Sequence, residues 1–248
     1  MKQYQAVIKV MEANGGYATL GQLNQEVFKV EDCKWATKTP FASIRRIVQD
    51  TRFFFKIRPG LWALKTFEDK LPSEIFPTSG QSKAKQEEYS HAYYQGLLVE
   101  IGNFEKYQTF VPKQDKNKPY LNKKLSDIIT VPDIYIFSYG RIIEKAQTVD
   151  VTWFNSRCMP ANFFEIEHST DMCNSLTKFV ELQDFYVNFF VVAHERRKKE
   201  FEKKVSLEAF KVIKKRAKFL DYENLAALHT KKSELISIES RSSLKLQG

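Results

Sequence analysis

The chain is poor in cysteine, the residue whose disulfides hold many small secreted domains together. It has only 3 cysteines among 248 residues, Cys33, Cys158 and Cys173, and none of them forms a CxxC spacing. An odd number of cysteines without such a spacing argues against a disulfide framework. Cys158, His168 and Cys173 also fit no standard zinc site. These absences favour a protein of a reducing, cytoplasmic compartment.

Long apolar runs are absent as well. No stretch approaches the roughly 18 apolar residues that a membrane span requires, and the first residues do not have the pattern of a signal peptide. We therefore expect no association with a membrane. Hydrophobic residues still make up 43% of the chain, with 20 Phe and 11 Tyr, so packed cores are expected and wholesale disorder is excluded. The length allows one large domain or two modest ones.

Positive charge is in excess and unevenly distributed. The formal net charge is +9. Residues 1–70 hold 12 Lys and Arg against 7 Asp and Glu, residues 195–218 hold 11 against 4, and the remainder is slightly acidic. Basic segments around an acidic middle suit a bound polyanion. Solvated helix faces would explain the same charges.

The acidic middle contains two β-prone segments in which carboxylates interrupt apolar residues. These segments are Val149–Phe154 and Ala161–Glu167. Glu165 and Glu167 are two residues apart, so a strand places both on one face, and an adjacent strand would bring Asp150 beside them. Three carboxylates in an apolar sheet are costly unless they are paired. A Mg²⁺ ion, which prefers oxygen ligands, would remove that cost.

The first 69 residues predict three helices followed by a β-hairpin, which together make a winged helix. Thr39 and Pro40 are typical of an N-cap and a first helical turn. The third helix of such a domain usually reads the major groove of DNA. The predicted elements are helices at 2–13, 21–29 and 41–50 and a hairpin formed by 53–57 and 61–64.

Basic and amide side chains lie on the third helix, on the hairpin and in a later polar loop. Arg suits guanine and Gln suits adenine in the major groove, and hairpin tips usually contact the DNA backbone. The residues predicted to bind DNA are Arg45, Arg46, Gln49, Lys56, Arg58, Lys113 and Lys116. The alternative is that the winged helix binds another protein.

The rest of the chain divides by composition. Residues 70–87 are rich in Pro, Ser and Gly and predict a linker. Residues 88–225 alternate helical and strand patterns, which is typical of an α/β core with a mixed sheet. Residues 226–248 predict a peripheral C-terminal tail.

Two stretches resemble known families. The first 66 or so residues resemble HARE-type winged helix-turn-helix modules. The segment ASIRRIVQDTRFFFKIRPGLWAL carries this resemblance. Residues 88–225 are similar to the PD-(D/E)XK, or restriction-endonuclease-like, nucleases. The similarity lies in VEIG, on a predicted helix, and in the later stretch FFEIEHSTDMCNSLTKFVELQDF. This resemblance implies hydrolysis of duplex DNA with Mg²⁺, or Mn²⁺ in its place, and a homodimer that cuts both strands.

The resemblance also implies roles for individual acids. Asp150 matches the aspartate of the motif and Glu165 its first glutamate, so these two and the carbonyl of Ile166 would hold the metal ion. Glu100 matches a supporting glutamate on the helix. Glu167 stands where the family usually has Lys, and it would position or deprotonate the attacking water.

The predicted function is a Mg²⁺-dependent, sequence-specific endonuclease of the type II restriction class. Asp133, in a literal Pro-Asp dipeptide, is the alternative to Asp150. The departure at Glu167 also allows a DNA-binding regulator whose nuclease-like domain has lost activity. A repair or modification-dependent nuclease would share the same chemistry.

Overall fold

The computed structural model describes residues 1–77 and 80–242. The chain divides into two compact units. One unit comprises Met1–Gln81 together with the residues from Ala226 onward, and the other comprises Ser82–Leu225.

The first unit contains three short helices and a three-stranded antiparallel sheet. Its elements are α1 (Gln3–Ala13), β1 (Tyr17–Thr19), α2 (Leu20–Glu26), α3 (Pro40–Val48), β2 (Phe54–Arg58) and β3 (Leu61–Leu64). The strand order is β1-β3-β2, and the turn between β2 and β3 contains Gly60 at a φ of 76°. A residue without a Cβ is favoured there because the turn needs the left-handed conformation. The helices and the hairpin lie where the sequence predicts them.

Apolar residues from the three helices and from β2 form the centre of this unit. Val7, Leu23, Ile44 and Phe54 are all buried in one cluster. Thr39 precedes α3 as predicted, although its side chain makes no capping hydrogen bond. The unit is therefore held together by the apolar side of each helix, as the periodicity indicates.

The second unit is a five-stranded mixed sheet with helices. Its elements are α4 (Lys83–Phe104), β4 (Gln108–Phe110), β5 (Pro119–Tyr120), β6 (Lys123–Lys124), α5 (Gly140–Ala146), β7 (Val151–Phe154), β8 (Pro160–Glu167), α6 (Met172–Glu181), β9 (Asn188–Ala193), α7 (Lys198–Val205), β10 (Ala217–Asp221) and the start of α8 (Tyr222–Ser242). The strand order is β10-β9-β8-β7-β4. β8, β9 and β10 are parallel, whereas β7 is antiparallel to both β8 and β4. The predicted α/β class with a mixed sheet is confirmed.

β8 is the central strand, and its side chains alternate between the two faces of the sheet. Phe163 packs in a buried cluster with Phe179 of α6. Because the period of a strand is two, Phe164 faces the other way, and Glu165 and Glu167 share the face of Phe163. Both acids therefore point toward α6.

The predicted linker is shorter than the sequence indicates. α4 begins at Lys83, within residues 70–87, and the side chain of Ser82 accepts a hydrogen bond from the N–H of Lys85 at its start. The Lys, Ala, Gln and Glu that follow are strong helix formers, which outweigh the flexible composition before them. The positions at 78–79 lie outside the described residues.

The predicted peripheral tail is instead the continuation of α8. His229 and Ser233 are buried, and the hydroxyl of Ser233 donates a hydrogen bond to the carbonyl of Gly21 at 2.7 Å. The helix thus packs in the first unit through polar as well as apolar residues. For that reason the hydrophobic pattern of the sequence does not reveal which side of the helix is buried. Residues 243–248 of the predicted tail lie outside the described residues.

α4 and α8 are the longest helices. Within residues 1–77 and 80–242, neither these nor any other helix combines the length and the apolar character needed to cross a bilayer.

Gly96 is the point where α4 touches Tyr120. A Cβ atom at Gly96 would overlap the buried Tyr120 ring. Gly96→Ala should therefore lower the free energy of unfolding by about 1–3 kcal/mol, because the ring or the helix has to shift. Gly140→Ala at the start of α5 is the control, since a Cβ there meets nothing within 4 Å. Urea unfolding compares the two variants, and equal midpoints would contradict this close packing.

Candidate active site

The acids at the end of β8 form part of the wall of a cavity in the second unit. The cavity has a volume of about 530 Å³ and is formed by α4, by the end of β8 with the turn after it, and by α6. Its lining residues are Ala84, Glu87, Glu88, His91, Lys118, Asp150, Glu165, Ile166, Glu167, His168, Ser169, Thr170, Asn174, Ser175 and Lys178. The cavity is therefore rich in carboxylates, with two lysines among them.

Asp150 lies immediately before β7, beside the end of β8. Its Oδ2 accepts a hydrogen bond from the backbone N–H of Ile166 at 2.7 Å, and its Oδ1 lies 3.4 Å from Nε2 of His91. Burial acts to raise the pKa of Asp150, but His91, the Ile166 N–H and Lys178 together outweigh it and lower that pKa. Asp150 is thus held as a carboxylate.

Glu165 is 4% exposed and is paired with a lysine. Nζ of Lys178 lies 2.9 Å and 2.8 Å from its two carboxylate oxygens, and Oγ of Ser175 donates to it at 3.2 Å. Burial and the neighbouring Asp150 nevertheless raise the pKa of Glu165 well above its ordinary value. The pairing with Lys178 therefore does not fully offset the cost of burying this carboxylate.

Glu167 points into the same cavity as Glu165. It is also 4% exposed. Ser175 donates a hydrogen bond to Glu167 as well as to Glu165, and Thr170 donates to the other oxygen of Glu167. A shared hydroxyl means that the two carboxylates converge, which is the arrangement expected from their spacing on a strand.

Lys178 is a residue of this site that the sequence analysis missed. It follows β8 in α6, three residues after Ser175, so both side chains lie on the same side of that helix. Burial acts to lower the pKa of Lys178, but Glu165 raises it and the net shift is upward. A cation therefore stands beside the acids although Glu167 occupies the strand position where a lysine was expected. The available signal was the spacing of Ser175 and Lys178 in the helix directly after the acids.

α4 contributes a histidine that the sequence analysis also missed. Glu87, His91 and Gln95 recur every four residues and so lie on one side of α4. Nε2 of Gln95 donates to Oδ2 of Asp115 at 2.8 Å and to the carbonyl of Asp150 at 2.9 Å. This side of α4 therefore holds the chain around Asp150 in place.

Glu100 does not lie at the cavity. It follows His91 by nine residues, which is about 180° around an α-helix. Its Oε2 accepts a hydrogen bond from the hydroxyl of Tyr120 at 2.7 Å. The acids that α4 places at the cavity are Glu87 and Glu88.

Asp133, the alternative to Asp150, is on the surface. Its side chain is 95% exposed and lies 3.6 Å from Nζ of Lys116. It does not line the cavity that contains Asp150. Asp150, in contrast, is among the residues that line this cavity.

Some of the residues predicted to bind DNA have identified intramolecular partners. Arg45 forms an ion pair with Glu234 of α8. Arg58 donates a hydrogen bond to the carbonyl of Ile75 at 2.9 Å, and Lys116 donates one to the carbonyl of Pro132.

The other predicted DNA-binding residues are exposed. Arg46 of α3 and Gln49, the residue directly after α3, line a concave surface of the first unit with a volume of about 770 Å³, together with Lys2 and Arg52. Lys56 of the hairpin and Lys113 of the later loop are exposed as well. This concave surface carries three basic side chains and also Asp50, which pairs with Arg52.

The chain belongs to the family of the type II restriction enzyme NmeDI C-terminal domain, whose family model matches residues 60–243. That range contains every residue of the cavity. One relative is the type II restriction enzyme NmeDI of Neisseria meningitidis serogroup C, which is 27% identical over 132 residues. The match covers 49% of this chain and 37% of that enzyme, so the chain corresponds to well under half of its length. No solved structure gives a significant match.

The pairing of Lys178 with Glu165 should be visible as a coupling free energy. Lys178→Met leaves a buried carboxylate without its cation and should lower the free energy of unfolding on the order of 2 kcal/mol, less than for a fully buried pair. In a Glu165→Gln background the same substitution should cost clearly less.

Urea unfolding of the two single variants and the double variant measures this coupling. Lys204→Met is the matched control, because its pair with Asp171 is on the surface and should contribute little. Additive effects of Lys178→Met and Glu165→Gln would contradict the interaction.

Proposed function

We propose that this protein is a Mg²⁺-dependent, sequence-specific endonuclease that hydrolyses duplex DNA as a type II restriction enzyme. The proposal rests on one observation above all. Asp150, Glu165 and Glu167 converge with Lys178 at the end of a central strand, in a chain of a restriction-enzyme family. Two strand carboxylates with a nearby lysine make up the kind of site that the PD-(D/E)XK resemblance implies.

The donor atoms of the site fit a hard divalent cation. Asp150, Glu165 and the carbonyl of Ile166 offer oxygen ligands, which Mg²⁺ prefers and Mn²⁺ also accepts. Asp150, Glu165 and Glu167 converge beside the ammonium of Lys178, whereas the other lysine of the cavity, Lys118, pairs with Asp115. These three carboxylates are therefore short of positive charge. When bound, the ion would offset charge on the phosphoryl oxygens and make a water more acidic.

The side chains around these ligands have distinct roles in the proposal. Glu167 positions or deprotonates the attacking water as a general base. Lys178 offsets part of the charge of Glu165 and presents an ammonium that the strand itself does not provide. Glu87 replaces Glu100 as the supporting acid from α4, because Glu87 lines the cavity.

The first unit is the proposed DNA-binding domain and acts as a winged helix. Arg46 of α3 and Gln49 directly after it face base edges in the major groove, and Lys56 of the hairpin contacts the DNA backbone. In the second unit, Lys113 contacts a phosphate. Arg45, Arg58 and Lys116 mainly support the fold, since each of them already has an intramolecular partner.

The assembly and the location follow from the proposed reaction. A duplex has two strands of opposite polarity, so a homodimer with two-fold symmetry presents one site to each strand. Sedimentation at the concentrations used for cleavage measures this, and a single-chain mass would contradict it. The proposed location is the cytoplasm, where DNA is the substrate.

Asp150→Asn and Glu165→Gln should each lower DNA cleavage by about a thousandfold or more, because each removes a ligand charge while the side-chain shape is kept. Plasmid and phage DNA with Mg²⁺, followed by mapping of the fragment ends, measures cleavage and its sequence dependence. Asp133→Asn is the control. Full activity in Asp150→Asn would refute the site. Intact DNA under all conditions, modified DNA included, would favour a DNA-binding regulator.

Arg46→Ala should weaken binding to the cleaved sequence by about 1–3 kcal/mol, as expected for loss of an Arg contact to a base. Arg45→Ala should have a smaller effect, because Glu234 already holds that guanidinium. Fluorescence anisotropy in the Asp150→Asn background measures binding without cleavage. Equal effects of the two substitutions would contradict the proposed orientation of α3.

A further inference from the structure

A second group of metal-ligating side chains adjoins the cavity. His91 of α4, Asp115 of the loop after β4 and Asp150 each place one ligand atom within 4.8 Å of the others. Ligands at about 2.1 Å from one ion are at most roughly 4.2 Å apart. Only one pair among three ligands can be that far apart, so the side chains have to move by about 1 Å to share an ion.

Gln95 supplies an independent indication of a ligand at this place. Its side chain is fully buried, and its Nε2 donates to Asp115 and to the carbonyl of Asp150. Its Oε1 is buried and has no hydrogen-bond partner in the part of the chain that the structure describes. Because Oε1 belongs to the same amide group, it lies within about 5 Å of Oδ2 of Asp115. A buried carbonyl oxygen without a partner is costly and calls for a water or an ion.

We propose that His91, Asp115 and Asp150 form a second cation site, with the amide group of Gln95 beside it. The imidazole of His91 distinguishes this site from the proposed Mg²⁺ site, whose ligands are the carboxylates of Asp150 and Glu165 and the carbonyl of Ile166. A nitrogen ligand suits first-row transition metals such as Mn²⁺, whereas Mg²⁺ prefers oxygen ligands alone. The site therefore takes a transition-metal divalent cation in preference to Mg²⁺.

The site has both an entry path and a built-in competitor. His91, Asp150 and Lys118 line the cavity, whereas Asp115 is buried behind them. Nζ of Lys118 lies 2.6 Å from Oδ1 of Asp115 and offsets its charge. A bound cation has to share Asp115 with this ammonium. Removing the ammonium should therefore strengthen metal binding, which a purely structural role of the cluster does not predict.

The inference shares Asp150 with the proposed catalytic site and in that respect rests on the proposed function. The carboxylate of Asp150 has one oxygen toward the N–H of Ile166 and the other toward His91. The ligands His91 and Asp115 belong to the second site alone. Their substitution can therefore be tested by metal binding, without DNA and without cleavage.

Titration of the full chain with Mn²⁺, followed by electron paramagnetic resonance, measures binding directly. His91→Gln and Asp115→Asn should each weaken Mn²⁺ binding by about tenfold or more. Lys118→Met should strengthen it. Pulsed resonance should show a nitrogen coupling to bound Mn²⁺ in the unchanged protein and in Glu165→Gln, and His91→Gln should lose that coupling.

His194→Ala and Asp133→Asn are the matched controls, since both side chains are exposed and should change nothing. Urea unfolding of each variant verifies that it is folded, and either His91→Gln or Asp115→Asn is sufficient for the test. Mn²⁺ binding without a nitrogen coupling, or unchanged in both variants, overturns the inference even if DNA is cleaved. Loss of the coupling in His91→Gln supports it even if no DNA is cleaved.

Discussion

The second unit depends on the burial of carboxylates at the end of its central strand. Ionised acids in an apolar sheet are unstable unless other groups offset their charge. Here the offset comes from separate parts of the chain. The N–H of Ile166 binds Asp150, Ser175 bridges the two glutamates of β8, and Lys178 pairs with Glu165. The positions of β7 and α6 relative to β8 are thus tied to the same polar cluster.

α4 contacts both the polar cluster and the apolar core. Gly96 allows the helix to approach Tyr120, and Gly102 allows it to approach Trp153. This close approach places the side of α4 that carries His91 and Gln95 next to Asp150. The packing of α4 at Gly96 and Gly102 therefore influences the position of His91, which lies about one to three helical turns away.

Much of the fold could be predicted because it depends on local rules. The hairpin around Gly60, the three first helices and the mixed sheet follow from turn chemistry and periodicity. The end of the chain could not be predicted in this way. α8 buries His229 and Ser233 against the first unit, and polar residues in a contact of this kind look like solvent-exposed residues in a sequence.

The sequence by itself determined that Glu165 and Glu167 share a face, because the period of a strand is a property of the backbone. It also brought Asp150 close, since β7 precedes β8 through a short connection. Only the tertiary structure decided which other residues join them. Glu100 lies about half a turn around α4 from the cavity side, while Lys178 reaches Glu165 from α6. The rotation of α4 and α6 about their axes and their packing against the sheet control these contacts. Both rotation and packing depend on the whole core and not on local sequence spacing.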